Sequence, residues 1–162
     1  IFNDTNDTIS IEVSNNQIIV KDTKVTFVSR VIDGEYPNYA QIIPNKFTTQ
    51  ITLSKTDLIQ HIKTASLFSN KIKEVVFQIN PEKQSIEILS TDEQFGDHHS
   101  TLACEAQGAE QRLVFNYQYL LEGMQNIISD NIQIKLNEPT TPVLIIGEEN
   151  DGFRYVVMPI KN

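Results

Sequence analysis

The sequence predicts an α+β fold in which a unit of strand, helix and three further strands occurs twice to make one complete domain, preceded by strands of an incomplete one. Three observations predict it. Apolar and polar residues alternate at the two-residue period of a pleated strand in many short segments of the 162-residue chain. Two other stretches carry apolar residues at helical spacing behind a capping residue. Those caps, Ser54 and Asn116, stand roughly 62 positions apart and precede the same succession of elements, which marks an internal repeat.

Taken in order, Ile9–Val13, Ile18–Val20 and a longer segment from Val25 to Ile32 read as strands joined by turns at Ser14–Asn16 and Asp22–Thr23. Three strands without a helix leave one sheet face with nothing to pack against, so residues 1–33 read as part of something larger. Asp33-Gly34 then supplies a turn, Pro37 fixes φ and Pro44 closes a short extended run. Residues 33–44 are therefore expected to connect two packed units, the first spanning 1–44 and the second 45–162.

Thr48–Leu53 reads as the next strand, and Ser54 caps a helix with Asp57 in its first turn. Leu58, Ile62 and Ala65 share one face of that helix, which is expected to lie on a sheet and to end at 67–70. Strands at Val75–Ile79, Ile86–Leu89 and Thr101–Cys104 follow, with Asn80-Pro81 turning the chain and Gly96 relaxing a longer loop. The second copy begins with Arg112–Phe115. Asn116 caps a helix whose apolar stripe is Leu120, Leu121, Met124, Ile127 and Ile128, and strands at Ile132–Leu136, Pro142–Ile146 and Phe153–Val157 complete it.

Composition narrows the function classes. The chain is 40% hydrophobic with no apolar run near membrane-spanning length, so a soluble protein without membrane contact is expected. A single Cys104 excludes an internal disulfide and suits a reducing, cytoplasmic compartment. A net charge of −8 argues against a surface that wraps nucleic acid all round, yet Lys55, Lys63, Lys71 and Lys73 gather on or just after the first helix. They form either one basic face or a set of solvated lysines.

Asp97-His98-His99 is the one stretch that suggests enzymology. Adjacent residues in a strand point to opposite faces, so the two histidines cannot share a metal there, and no third ligand stands at metal spacing. His61 reads as a polar group between apolar helix positions, and Cys104, alternating with Leu102, as a core thiol. No nucleophile motif, phosphate loop or carboxylate pair is present, and no cofactor is expected.

The apolar residues at the connector and the C-terminus carry the sharper signal. The run from Val31 through Asp33-Gly34-Glu35-Tyr36-Pro37-Asn38-Tyr39 to Ile42-Ile43-Pro44, the helix start Phe115-Asn116-Tyr117-Gln118-Tyr119-Leu120-Leu121, and the ending Tyr155-Val156-Val157-Met158-Pro159-Ile160-Lys161 together resemble the bacterial DNA polymerase III β sliding clamp family. The resemblance places 1–44 at the end of that family's second domain and 45–162 in its third, so the expected architecture is the DNA-clamp fold.

By the same resemblance, the function expected is that of a processivity factor: a ring closed around duplex DNA that tethers polymerase, clamp loader and repair proteins through their short linear motifs. Its hydrophobic groove would here comprise Pro37, Gln41, Ile42, Asn116, Tyr119, Pro142, Val156, Val157, Met158, Pro159, Ile160 and Lys161, with Ile72 at the rim. The bland alternative is that these residues merely cover a domain junction. Leu67 and Phe68, with the edge strand at Thr101, Ala103 and Glu105, would meet a second subunit in a homodimer; alternatively the pair folds onto its own sheet. Lys46, Lys55, Lys63, Lys71 and Lys73 would face the DNA phosphates without reading sequence.

Two departures bear on motif preference: Gln41 stands where the family commonly has arginine, and Asn162 where it usually has leucine. The Thr-Asp-Gly-x-Arg wall of the groove is not in this chain. Two other function classes stay open on the residues alone, a metal-dependent or hydrolytic enzyme using Asp97, His98 and His99, and a scaffold that does not bind DNA.

Overall fold

A computed structural model describes residues 8–36, 38–149 and 152–161 and divides the chain into two units, Ile1–Asn38 and Tyr39–Asn162. Pro37 and Asn162 lie outside the described residues.

The first unit is an antiparallel sheet of β1 (Ser10–Val13), β2 (Gln17–Lys21) and β3 (Thr26–Arg30), paired in chain order. Its turns are built locally. Ser14 donates from both its amide and its hydroxyl to the Gln17 carbonyl, and the Asp22 carboxylate accepts from the Lys24 and Val25 amides at 2.7 Å each. Those two amides hold the Asp22 carboxyl below its usual range. None of this unit's described residues is buried within it, and Ile11 and Val13 stay exposed, as expected for three strands with no second layer.

The second unit opens with a 3-10 turn at Tyr39–Gln41 and then alternates strands with two helices. In order come β4 (Thr49–Ser54), α1 (Lys55–Ser66), β5 (Glu74–Asn80), β6 (Ser85–Asp92), β7 (Gly96–Ala103) and β8 (Glu105–Gln107). The second copy supplies β9 (Gln111–Asn116), α2 (Tyr117–Met124), β10 (Asn131–Leu136), β11 (Val143–Gly147) and β12 (Arg154–Val157). The strands form a five-stranded sheet ordered β12-β11-β10-β4-β8 and a four-stranded sheet ordered β7-β6-β5-β9.

The two copies therefore exchange their first strands. β4 leads the first copy but pairs with β10 of the second, and β9 leads the second but pairs with β5 of the first. The cap residues mark the symmetry: Ser54 lies opposite Asn131, where β10 begins, and Asn116 lies opposite Glu74, where β5 begins. Ser54 Oγ accepts from the Asp57 amide and Asn116 Oδ1 from the Gln118 amide, which satisfies a donor that each helix start would otherwise leave open.

This exchange binds both copies into one core. Leu58, Ile62 and Ala65 of α1 and Leu120, Gly123 and Met124 of α2 are buried, and α1 packs against α2. Phe77 and Phe115, on the neighbouring strands β5 and β9, meet edge to face at 5.3 Å in a core that includes the fully buried Ile51, Ile79, Ile86 and Leu113. No helix among the described residues is long and apolar enough to cross a membrane.

Three local expectations are corrected. The stripe of the second helix was expected to include Ile128, but α2 ends at Met124; Ile127 is buried while Ile128 is 83% exposed, because helical spacing stops governing direction beyond the last turn. Gly96 does not sit within a longer loop. It opens β7, with a tight turn before it in which the Asp92 carboxylate accepts from the Gln94 and Phe95 amides, so Asp97, His98 and His99 belong to a strand.

Finally, the segment after Cys104 forms an extra short strand, β8, on the edge of the larger sheet. The chain changes sheets at the buried Cys104, and Gln84 clasps the corner, its side chain bonding both the amide and the carbonyl of Ala106. The following turn passes so close to β4 that a β-carbon on Gly108 would stand 2.0 Å from the Thr48 carbonyl, at a φ of +105° that side chains rarely adopt.

Candidate functional site

The last residues of the chain, the start of α2 and the turn after α1 converge beside β9. Val157 pairs with Val143 and Val156 with Leu144, which puts the half-buried Pro142 at the mouth of the β11–β12 ladder. Beyond Val157 the chain leaves β12. Pro159 is buried and has no amide to donate, so Ile160 makes the next contact, its N–H donating to the Val114 carbonyl at 2.7 Å. The tail thus runs along the open edge of β9, the counterpart of β8 along β4, and leaves Met158 half exposed and Lys161 exposed.

Asn116 ends β9 and spends its carboxamide oxygen on the α2 cap, while Tyr119, one turn into the helix, presents an exposed ring. The Tyr119 carbonyl accepts from the Tyr155 hydroxyl at 2.8 Å, and the Tyr155 ring packs on Gly123. Burial pushes the Tyr155 hydroxyl up from its ordinary value, with Glu122 and Tyr119 adding to the shift.

The turn after α1 is tied to the same place. Tyr117 donates its amide to the Lys73 carbonyl, and Lys73 Nζ donates to Gln118 Oε1 at 2.7 Å. Lys73 adopts a φ of 63°, and the preceding Ile72 is left 64% exposed beside the helix start. Asn116, Tyr119, Pro142, Val156, Val157, Ile160 and Ile72 are thereby connected through one set of elements. Gln41 and Ile42 are exposed on their own turn, where the Ile42 amide bonds the Tyr39 carbonyl.

The candidate subunit edge has a clear backbone basis. β7 and β8 are the outer strands of their sheets, so their outward amides and carbonyls offer a template for another chain. Thr101, Ala103 and Glu105 are exposed along that edge. Leu67, just past α1, is 69% exposed, whereas Phe68 is half-buried and stacks on His98 at 5.7 Å.

The candidate DNA-facing lysines differ in what their charge meets. Lys55 Nζ donates to the Ile127 carbonyl at 2.7 Å, which anchors the chain beyond α2, and Lys73 is engaged by Gln118. Lys46, Lys63 and Lys71 are exposed. His98 and His99 do point to opposite faces: His98 meets the Ser100 hydroxyl inside, and His99 meets Glu87 at 3.2 Å outside. Among the described residues no three His, Cys, Asp or Glu side chains are grouped to hold a metal. Burial pushes the Cys104 thiol up to about 11.

Sequence reasoning passed over Tyr155 and Gly123 as parts of this site. A glycine inside a helical pattern was the available signal that another side chain approaches closely there. Also missed was an open cleft of about 960 Å³ on the outer face of the smaller sheet, over Val76 and Leu89, between exposed Ile72 and Phe95.

The chain is 26% identical over 156 residues to a beta sliding clamp of Synechocystis, covering 96% of this chain and 40% of that one. It is 21% identical over 162 residues to a beta sliding clamp of Staphylococcus epidermidis, covering 99% and 43%. It therefore spans about two fifths of the length of these relatives.

Among solved structures, a DNA polymerase sliding clamp from Pseudomonas aeruginosa superposes with a TM-score of 0.88 at 20% identity, over 99% of this chain and 43% of that one. The sliding clamp of Bacillus subtilis gives 0.86 at 24% identity, over 95% and 41%. A Pseudomonas aeruginosa sliding clamp bound to griselimycin gives 0.85 at 21% identity, over 95% and 42%. These likenesses establish the clamp fold. Residues 40–161 match the sequence model of the family described as DNA polymerase III beta subunit, C-terminal domain, and the chain belongs to that family.

Proposed function

We propose that the chain is part of a DNA polymerase processivity factor, a sliding clamp that encircles duplex DNA and tethers replication and repair proteins through a peptide groove. The observation that carries this reading is the tail on β9: Ile160, bonded to Val114, ties the segment with half-exposed Met158 to the strand that leads into α2 and its exposed Tyr119. A flexible methionine beside aromatic and β-branched walls accepts a leucine or phenylalanine anchor, and Tyr119 adds a polar handle for the peptide backbone.

The tether is topological, so weak phosphate contacts suffice for sliding. Lys46, Lys63 and Lys71 are the better placed of the candidate lysines for that task, since Lys55 and Lys73 are already engaged within the fold. The β7 and β8 edges with Leu67 would join two copies of the full-length protein into the ring. Gln41 and Ile42 would complete the groove from the connector side. Polymerase, clamp loader and other motif-bearing proteins are the partners, the cytoplasm is the setting, and no cofactor or catalytic residue is assigned.

Titrating the protein into a fluorescent clamp-binding-motif peptide tests the groove. Met158→Ala and Tyr119→Ala should each weaken binding by about tenfold or more, the range of a buried anchor contact. Unchanged affinity in both variants refutes the groove.

A further inference from the structure

The inner face of β7 is polar where it meets α1. The ladder pairs His98 with Ser90 and Ser100 with Ile88, so both His98 and Ser100 lie on the core side, and Ser90 there donates to the Ala65 carbonyl of α1 at 2.6 Å. His61 Nδ1, from α1, lies 2.9 Å from Ser100 Oγ, and His98 Nε2 lies 3.1 Å from the same oxygen. Phe68 stacks on the His98 ring from the end of the helix.

We propose that His61, Ser100 and His98 form a proton-sensitive seam between α1 and the edge strand β7, closed while the histidine pair carries at most one positive charge and opened when it carries two. A hydroxyl has one proton and two lone pairs. With both rings neutral, Ser100 donates to one and accepts from the other. With one ring protonated, it accepts from that ring and donates to the neutral one, and with both protonated it can only accept. A second proton places two cations about 6 Å apart at most, since both nitrogens touch one oxygen.

The described groups bonded to or stacked on the pair carry no negative charge. From β6 the facing group is the uncharged Ser90, and Phe68 supplies only an aromatic face. Asp97 and His99 flank His98 on the opposite face of β7, where His99 takes up Glu87. On α1, Asp57 stands one turn before His61 and Lys63 lies in the last turn. No carboxylate among the described residues is bonded to either ring of the pair.

Partial burial, followed by the charges of His61 and His99, pulls His98 below the ordinary histidine value of 6.5. The sign follows. A histidine held neutral by the fold leaves stability intact above 6.5 and subtracts from it as pH falls through and below that value.

Amide hydrogen exchange of this chain between about pH 7.5 and about pH 5, corrected for intrinsic rates, reads the seam directly. Opening of residues 97–103 should rise by about tenfold or more at the acid end. His61→Gln and His98→Gln, which cannot charge, should each suppress most of that rise. An equal rise in both variants, or none in the parent, overturns the proposal. Should either variant fail to fold, the histidine ring-proton titration of the parent decides: two steps well separated in pH support the seam, and two overlapping independent steps refute it.

Discussion

The Tyr155 ring rests against the bare α-carbon of Gly123, so close that a β-carbon added there would lie 2.2 Å from its Cε1. This contact joins β12 to α2, and the Tyr155 hydroxyl then reaches the Tyr119 carbonyl on the same helix. The residue that leads into the C-terminal tail is thus seated on the helix that carries the exposed Tyr119 ring. The position and orientation of the candidate groove depend on that seat.

Gly123→Ala should therefore destabilise the protein by about 1–3 kcal/mol, the usual cost of overpacking, despite alanine's better helix propensity. Urea unfolding followed by circular dichroism measures it. A neutral or stabilising effect would show that the ring moves aside freely.

Tyr155→Phe keeps the ring and removes only the bond to the Tyr119 carbonyl. Stability should fall by about 0.5–1.5 kcal/mol, with weaker capture of a motif peptide by the loosened Tyr119 turn. Fluorescence anisotropy beside a denaturation curve separates the two effects.

The two helix caps make a matched pair. Ser54→Ala and Asn116→Ala should each cost about 1 kcal/mol. Because the bonds belong to different helices, the double variant should show the sum to within about 0.5 kcal/mol. Equilibrium denaturation of the three variants checks this.

Cys104 should resist alkylation. With its thiol pushed up to about 11 by burial, the thiolate is scarce at pH 8, and iodoacetamide should react on the order of a hundredfold more slowly than with an ordinary exposed cysteine. Mass spectrometry with and without urea reads both rates, and only the unfolded protein should label quickly.

Asp22 offers a test in the first unit. Its carboxyl is held low by the Lys24 and Val25 amides, so the turn contact is present above the ordinary carboxylate value of 3.8 and is lost as pH falls below the depressed one. Intrinsic-rate-corrected amide exchange at Lys24 and Val25 should show protection above that value, fading in strong acid and absent throughout in Asp22→Ala.

Part of the site could be read directly. The Asn116 cap, the exposed Tyr119 one turn on, and a tail that must leave its strand at Pro159 all follow from local rules about donors, helical spacing and proline. What the tail does next could not be read, because the partner of the Ile160 amide is Val114, distant in sequence and identified only once β9 lies on the edge of a sheet. Lys55 shows the same limit. Its position on α1 suggests a solvent-facing charge, yet its ammonium finds the Ile127 carbonyl in the other copy of the repeat.

The sequence by itself determined the succession of strand, helix and three further strands that both copies share and the starts of both helices, since periodicity, capping and turn chemistry act over a few residues. Only the tertiary structure decided that β4 and β9 trade sheets, that Cys104 is the corner where the chain crosses between sheets, and that two histidines on different elements meet at Ser100. Those outcomes arise from pairing between distant segments, where one alternating strand presents the same pattern to every edge and the choice is made by the packing of the whole core.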